Sequence, residues 1–181
     1  MDKNKATFTD SRSADGGKKL FLIRHAKSSW DSLTLNDFER PLNERGKYDA
    51  PVMAKCLLKK DITIDAFICS PAKRAKKTAE YFIKEFKRDE EEIIFISSLY
   101  HASVNDFKEA ISAVADKYSS IAIFSHNPGI TEFANELVET ANINNMPTCS
   151  IFAVSTDVKK WKDFNSAKKE FLFFDYPKKE D

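Results

Sequence analysis

The sequence predicts an α/β fold: a three-layer α/β/α sandwich with a mainly parallel central sheet, helices on both faces and an antiparallel edge near the C-terminus. Three observations predict it. Short apolar runs alternate with helix-length stretches through most of the chain. The first four runs are continuously apolar, as strands are when helices cover both of their faces. The last two runs are joined by "TDVKKWKDFNSAKK", too short for a full helical crossover, which implies an antiparallel pair.

Residues 1–17, "MDKNKATFTDSRSADGG", are polar and without periodicity, and are expected to form a loose leader outside the fold. Residues 18–181 are expected to form one domain. Strands are expected at 19–24, 63–69 ("TIDAFIC"), 92–96 ("EIIFI"), 121–125 ("IAIFS"), 149–155 ("CSIFAVS") and 170–174 ("EFLFF"). Helix-length stretches cover 44–60, 72–88, 104–118 and 128–140. "SVNDF" reads as a helix start, with Ser103 as its cap and Asp106 in the first turn. Ser70-Pro71 reads as another start, a cap followed by a proline in the opening turn.

Composition narrows the function. The chain has 181 residues, 42% of them hydrophobic and 15 of them phenylalanine, enough to fill one core. Its 29 basic and 28 acidic side chains give a net charge of +1, which argues against a nucleic-acid or membrane-surface binder and leaves room for a small positive pocket. Cys56, Cys69 and Cys149 follow no metal-ligand spacing, and Cys69 and Cys149 sit in strand-like apolar runs as small buried hydrophobes. With no signal peptide and no apolar run of about 18 residues, a reducing cytoplasm is the expected compartment.

Three strand ends carry the chemistry: "RHAKSSW" after the first, "CSPAKRAKKTAEYF" after the second and "FSHNPGI" after the fourth. Parallel strands open their carboxyl ends to one edge, where ligands bind. Arg24, His25, Arg74 and His126 are therefore expected to converge from distant parts of the chain. Taken singly, Arg74 reads as part of a solvated basic helix face, His126 as a strand-end histidine and Arg24 as a partner for some carboxylate. Together, two permanent cations and two imidazoles suit a tetrahedral dianion, because arginine forks match phosphate oxygens in pairs. Arg74 in the opening turn of a helix adds the helix's positive end.

These segments resemble the histidine phosphatase superfamily, in the branch with phosphoglycerate mutase. "DFERPLNERG" at 37–46 and "MPTCSIFAV" at 146–154 are similar to the SixA-like phosphohistidine phosphatases. The resemblance runs from about Leu20 to Pro177. The arginine-histidine pair alone is weakly specific, whereas the three motifs in this order and spacing are strongly so. One departure is Ala26, where the superfamily usually has glycine. The resemblance implies that His25 is a nucleophile forming a phosphohistidine intermediate, with Arg24, Arg74 and His126 holding the phosphoryl oxygens. A neutral imidazole is nucleophilic near pH 7 and needs no separate base, provided its other nitrogen is held by an acceptor that fixes the tautomer. Arg40 matches a recurrent SixA-like arginine, and either guides substrate or ties down its loop. No cofactor and no metal site are expected.

The superfamily generally places a carboxylic general acid after the third strand. Here that region reads "ISSLYHASVNDF", with no carboxylate before Asp106. Tyr100 and His101 occupy the place, and His101 reads either as an acid or as a structural or substrate-contacting residue. Expelling an alkoxide without a proton donor is hard, whereas imidazole already takes a proton near about pH 6.5. The expected substrate is thus a phosphohistidine on a partner protein. The alternatives are a phosphomonoesterase acting on small phosphorylated metabolites and a phosphate-binding module without turnover. Neither nucleic acid nor a membrane is an expected partner.

Overall fold

A computed structural model describes residues 17–30 and 36–178. Apart from Gly17, the expected leader lies outside these residues. The elements run in the order β1 (Lys18–Arg24), α1 (Glu44–Leu58), β2 (Ala66–Cys69), α2 (Lys73–Glu85), β3 (Ile93–Phe95), α3 (Val104–Ser112), β4 (Ser120–Ser125), α4 (Gly129–Leu137), β5 (Ile151–Thr156) and β6 (Glu170–Asp175). The six strands form one sheet in the order β3-β2-β4-β1-β5-β6. Strands β1 to β4 pair in parallel. Strand β5 runs antiparallel to both β1 and β6, so the antiparallel edge begins one strand further in than the connection alone implies.

The continuous apolar runs have a direct cause. Successive side chains of a strand point to opposite faces. Phe21 and Ile23 of β1 pack on one side with Met53, Leu57, Phe82 and Ile83 of α1 and α2. Leu20 and Leu22 pack on the other with Phe107, Ile111, Ile130 and Phe133 of α3 and α4. Each face therefore has its own core, and a polar residue in the middle of β1 would be buried whichever way it pointed. At β3 the pattern fails, because Ile94 and Phe95 are exposed on an edge strand.

Several expected boundaries move for local reasons. Helix α3 starts at the expected Ser103 cap, whose side chain accepts from the Asp106 N–H while Asp106 reaches back to the Ser103 N–H. It ends at Ser112 rather than near 118, because the turn beyond it is held by the rest of the fold. The Asp116 carboxylate accepts the Trp161 N–H, and its carbonyl accepts the Lys18 ammonium. Strand β5 starts at Ile151, not 149, because Cys149 adopts a left-handed backbone with φ 61°. Helix α2 starts after Ala72 without a side-chain cap, so Ser70 does not cap it.

Candidate active site

Backbone hydrogen bonds from both neighbouring strands pin the end of β1. The His25 N–H donates to the Ser125 carbonyl of β4, and the Cys149 N–H, turned inward by its left-handed conformation, donates to the carbonyls of Arg24 and His25. From α2, the Thr78 hydroxyl accepts the Ala26 N–H at 2.9 Å and donates to the Arg74 carbonyl at 2.7 Å. Thr78 thus ties the residue after His25 to the helical turn that carries Arg74. Two glycines allow close approach of backbone here. A Cβ on Gly46 would meet the Lys27 carbonyl, and one on Gly129 would meet the Ala102 carbonyl.

The convergence expected from the strand ends occurs. Arg24, His25, Arg74 and His126 line one cavity of about 280 Å³, together with Arg40, His101 and Asp37. His25 Nδ1 lies 2.8 Å from the Ala26 carbonyl. Its Nε2 receives the Arg74 Nε–H at 3.3 Å. These two contacts settle the tautomer: Nδ1 carries the proton and donates it to the carbonyl, while Nε2 is unprotonated and its lone pair accepts from Arg74. Burial, and then the charges of Arg74, Arg24 and Arg40, lower the His25 pKa to about 3 against the opposing pull of the Ala26 carbonyl. The ring is neutral at any ordinary pH.

His126 stands beside it, with ring centroids 5.0 Å apart. Its Nε2 is 2.7 Å from the Ser70 hydroxyl, and its buried Nδ1 has no partner among the described residues. Burial, then His25 and Arg74, lower its pKa to about 2. Arg24 donates to the Met146 carbonyl and keeps a buried Nε without a partner among the described residues.

Arg40 is committed to its own loop. Its three nitrogens donate to the Ser29 carbonyl, the Ser28 hydroxyl and Asp37, and its guanidinium lies 3.3 Å from the centre of the Trp30 ring. Of the two roles left open by the sequence, tying down the loop is the one these contacts describe. His101 lies on the cavity wall, exposed and in a left-handed conformation, with its ring 4.0 Å from that of Tyr100.

Asp37 escapes a reading of the sequence. Its Oδ2 accepts from Arg74 at 2.9 Å and from the Tyr100 hydroxyl at 2.9 Å, and its Oδ1 accepts from Arg40 at 2.8 Å. Despite burial, these donors hold its carboxyl well below the usual carboxylate range. The only signal for it is its place in "DFERPLNERG". The arrangement as a whole is a positive, partly desolvated cavity in which the unprotonated His25 Nε2 accepts from the Arg74 guanidinium. Among the described residues, no group of three or more His, Cys, Asp or Glu side chains could hold a metal ion, and no helix is long and apolar enough to cross a membrane.

The model of histidine phosphatase superfamily branch 1 matches residues 20–110, the span that carries Arg24, His25 and Arg74. The chain belongs to the histidine phosphatase superfamily. Among relatives, a chloroplastic protein of Arabidopsis thaliana is 29% identical over 86% of this chain and 74% of its own length. The SixA protein of Agrobacterium tumefaciens superposes with a TM-score of 0.75 at 23% identity, over 89% of this chain and 99% of that one. A protein histidine phosphatase SixA complexed with tungstate gives a TM-score of 0.74 at 21% identity, over 87% of this chain and 96% of that one. At these identities the structural likenesses establish the fold: a six-stranded mixed sheet with an antiparallel C-terminal edge, as in SixA structures.

Proposed function

We propose that this superfamily member is a phosphatase that works through a phospho-His25 intermediate and removes phosphate from phosphohistidine on a partner protein, with residues 18–181 as its catalytic domain. The observation that carries the reading is the His25 ring: neutral, its Nδ1–H held by the Ala26 carbonyl and its Nε2 unprotonated, with a lone pair that accepts the Arg74 Nε–H and becomes available as that donor turns to a phosphoryl oxygen. Such a nitrogen attacks phosphorus without losing a proton first. The bond from phosphorus to the leaving atom breaks as the bond to Nε2 forms. A water then attacks phospho-His25, the P–N bond breaks with its electron pair returning to Nε2, and phosphate departs with one of the water's protons while the other passes to solvent.

The other residues take roles from their unsatisfied atoms. Arg24 Nε is a buried donor without a partner among the described residues, and in this reading it donates to a phosphoryl oxygen. For His126, we assign the Ser70 hydroxyl proton to the bond with Nε2, which leaves Nδ1–H as a second such donor. Arg74 stabilises the charge that develops in transfer. Tungstate, a tetrahedral oxyanion, occurs in a SixA structure of the same fold, in keeping with this use of the pocket.

Two features support a phosphohistidine over a phosphate ester. Among the described residues lining the cavity, Asp37 is the one carboxyl, and it is held ionised, so no carboxylic acid there has a proton to give to a leaving oxygen. The volume of about 280 Å³ is at the low end for small-molecule sites, suiting a phosphoryl group and a ring presented from outside. The test is turnover, in buffer containing EDTA, of a phosphohistidine peptide against a phosphoserine peptide of the same sequence. The reading expects phosphate release from the first at least about a hundredfold faster. Equal rates, or dependence on an added divalent ion, contradict it.

A further inference from the structure

We propose that Asp37 is a specificity-determining residue: its ionised carboxylate accepts a hydrogen bond from the ring N–H of a phosphoimidazole leaving group and disfavours leaving groups that depart as oxyanions. The inference rests on the phosphatase reading above and names the residue that sets its substrate class.

Four observations carry it. Asp37 lines the cavity that contains His25, Arg74 and His126. Its side chain is 41% exposed, whereas that of Arg74 is 6% exposed, so of the two it is the one that solvent, and a group entering from solvent, can reach. Its position is fixed by Arg40 of its own loop and by Arg74 and Tyr100 from distant parts of the chain. A carboxylate offers about four lone-pair positions. Among the described residues three are taken, two on Oδ2 and one on Oδ1, which leaves one on Oδ1 for an incoming donor.

The chemistry follows from atom balance. In a phosphohistidine whose second ring nitrogen is protonated, the ring is cationic. As His25 Nε2 bonds to phosphorus, the P–N bond to the substrate ring breaks, and its electron pair stays on the substrate nitrogen. The departing ring becomes a neutral imidazole that keeps its N–H, while the His25 ring, with Nδ1–H retained, becomes cationic. The two rings exchange roles with no proton moved. On the enzyme side the cationic ring's N–H is held by the Ala26 carbonyl. Asp37 supplies the matching acceptor for the substrate ring: its charge binds the cationic ring and keeps it protonated, the form that can leave as a neutral imidazole. A phosphate ester offers nothing to that acceptor. Its leaving oxygen gains negative charge as the bond breaks, and a fixed carboxylate nearby opposes that charge. One residue thus favours phosphoramidates and disfavours esters.

A purely structural role, holding Arg74 and the loop in place, would affect both substrate types alike. The experiment therefore compares D37N and D37E with the wild type in single-turnover formation of phospho-His25. The donors are a phosphohistidine peptide and 4-nitrophenyl phosphate, whose leaving oxygen departs as an anion. Melting temperature and tungstate binding verify that each variant is folded with an intact anion pocket. D37N is expected to lower the ratio of the phosphohistidine rate to the ester rate at least about tenfold, and D37E, which keeps the charge, to restore part of it. A ratio unchanged within about twofold in D37N overturns the inference and leaves the phosphatase reading standing. If the wild type itself fails to transfer from the phosphohistidine peptide, the proposed function falls first.

Discussion

Acidification between pH 7 and pH 5 should weaken this fold through its two buried imidazoles. The ordinary histidine pKa is 6.5, and the fold lowers it to about 3 at His25 and about 2 at His126. Below pH 6.5 the unfolded chain binds these protons and the native chain does not. Native stability therefore rises with pH across this window and is lost as pH falls through it. At about 1.4 kcal/mol per pH unit for each group, the pH interval from 6.5 to 5 removes about 2 kcal/mol per histidine. Both together cost about 4 kcal/mol, a large part of the roughly 5–15 kcal/mol by which a domain is stable. Asp37, whose pKa is lowered from the ordinary 3.8, contributes stability that is lost only on further acidification through and below that value, so it does not confound the interval. The assay is urea unfolding at pH 7, 6 and 5 in buffers free of phosphate, for the wild type, H25N, H126N and the double variant. Each single variant should show about half the wild-type loss, and the double variant should show little, whatever their absolute stabilities. A wild-type stability that stays flat from pH 7 to 5 would refute the buried neutral pair, as would a double variant that keeps the full slope.

Two further outcomes follow from the site. H25A should lower turnover more than about a hundredfold while folding normally, since the side chain is a nucleophile at a strand end; residual activity above that, measured as phosphate release, would exclude His25 as the nucleophile. G129A should destabilise by about 2 kcal/mol or more and lower activity with it, because the added Cβ meets the Ala102 carbonyl and backbone there cannot yield without moving the loop that carries His101; a melting temperature unchanged from wild type would contradict that packing.

What the sequence discloses and what it hides divide along physical lines. The pocket's four main side chains were legible because parallel strands deliver their ends to one edge, so "RHAK", "SPAKR" and "SHNPG" meet whatever the intervening loops do. The capping box at Ser103 was legible because it is local. Asp37 was not, because two of its three partners, Arg74 and Tyr100, lie 37 and 63 residues away and nothing in "NDFER" distinguishes it from a solvated acid. Ser70 misled for a related reason: serine before proline is a good cap in isolation, but its hydroxyl lies 2.7 Å from His126 Nε2 instead. Cys149 looked like the start of a strand, yet its left-handed backbone turns its N–H onto Arg24 and His25, a conformation that side-chain hydropathy does not report. The edge position of β3, with Ile94 and Phe95 in solvent, depends on strand order, which an apolar run does not encode.

The central claim is that His25 Nε2 takes the phosphoryl group. The most direct measurement is to mix the protein with a phosphohistidine peptide, quench within the first turnover at alkaline pH, where phosphohistidine survives, and locate the phosphoryl group by mass spectrometry of the peptide spanning residues 20–30. The account predicts a phosphoryl group on His25 that appears before phosphate is released and is absent in H25A. Phosphate released with no label ever on His25, or a label carried by His101 or His126 instead, would contradict it.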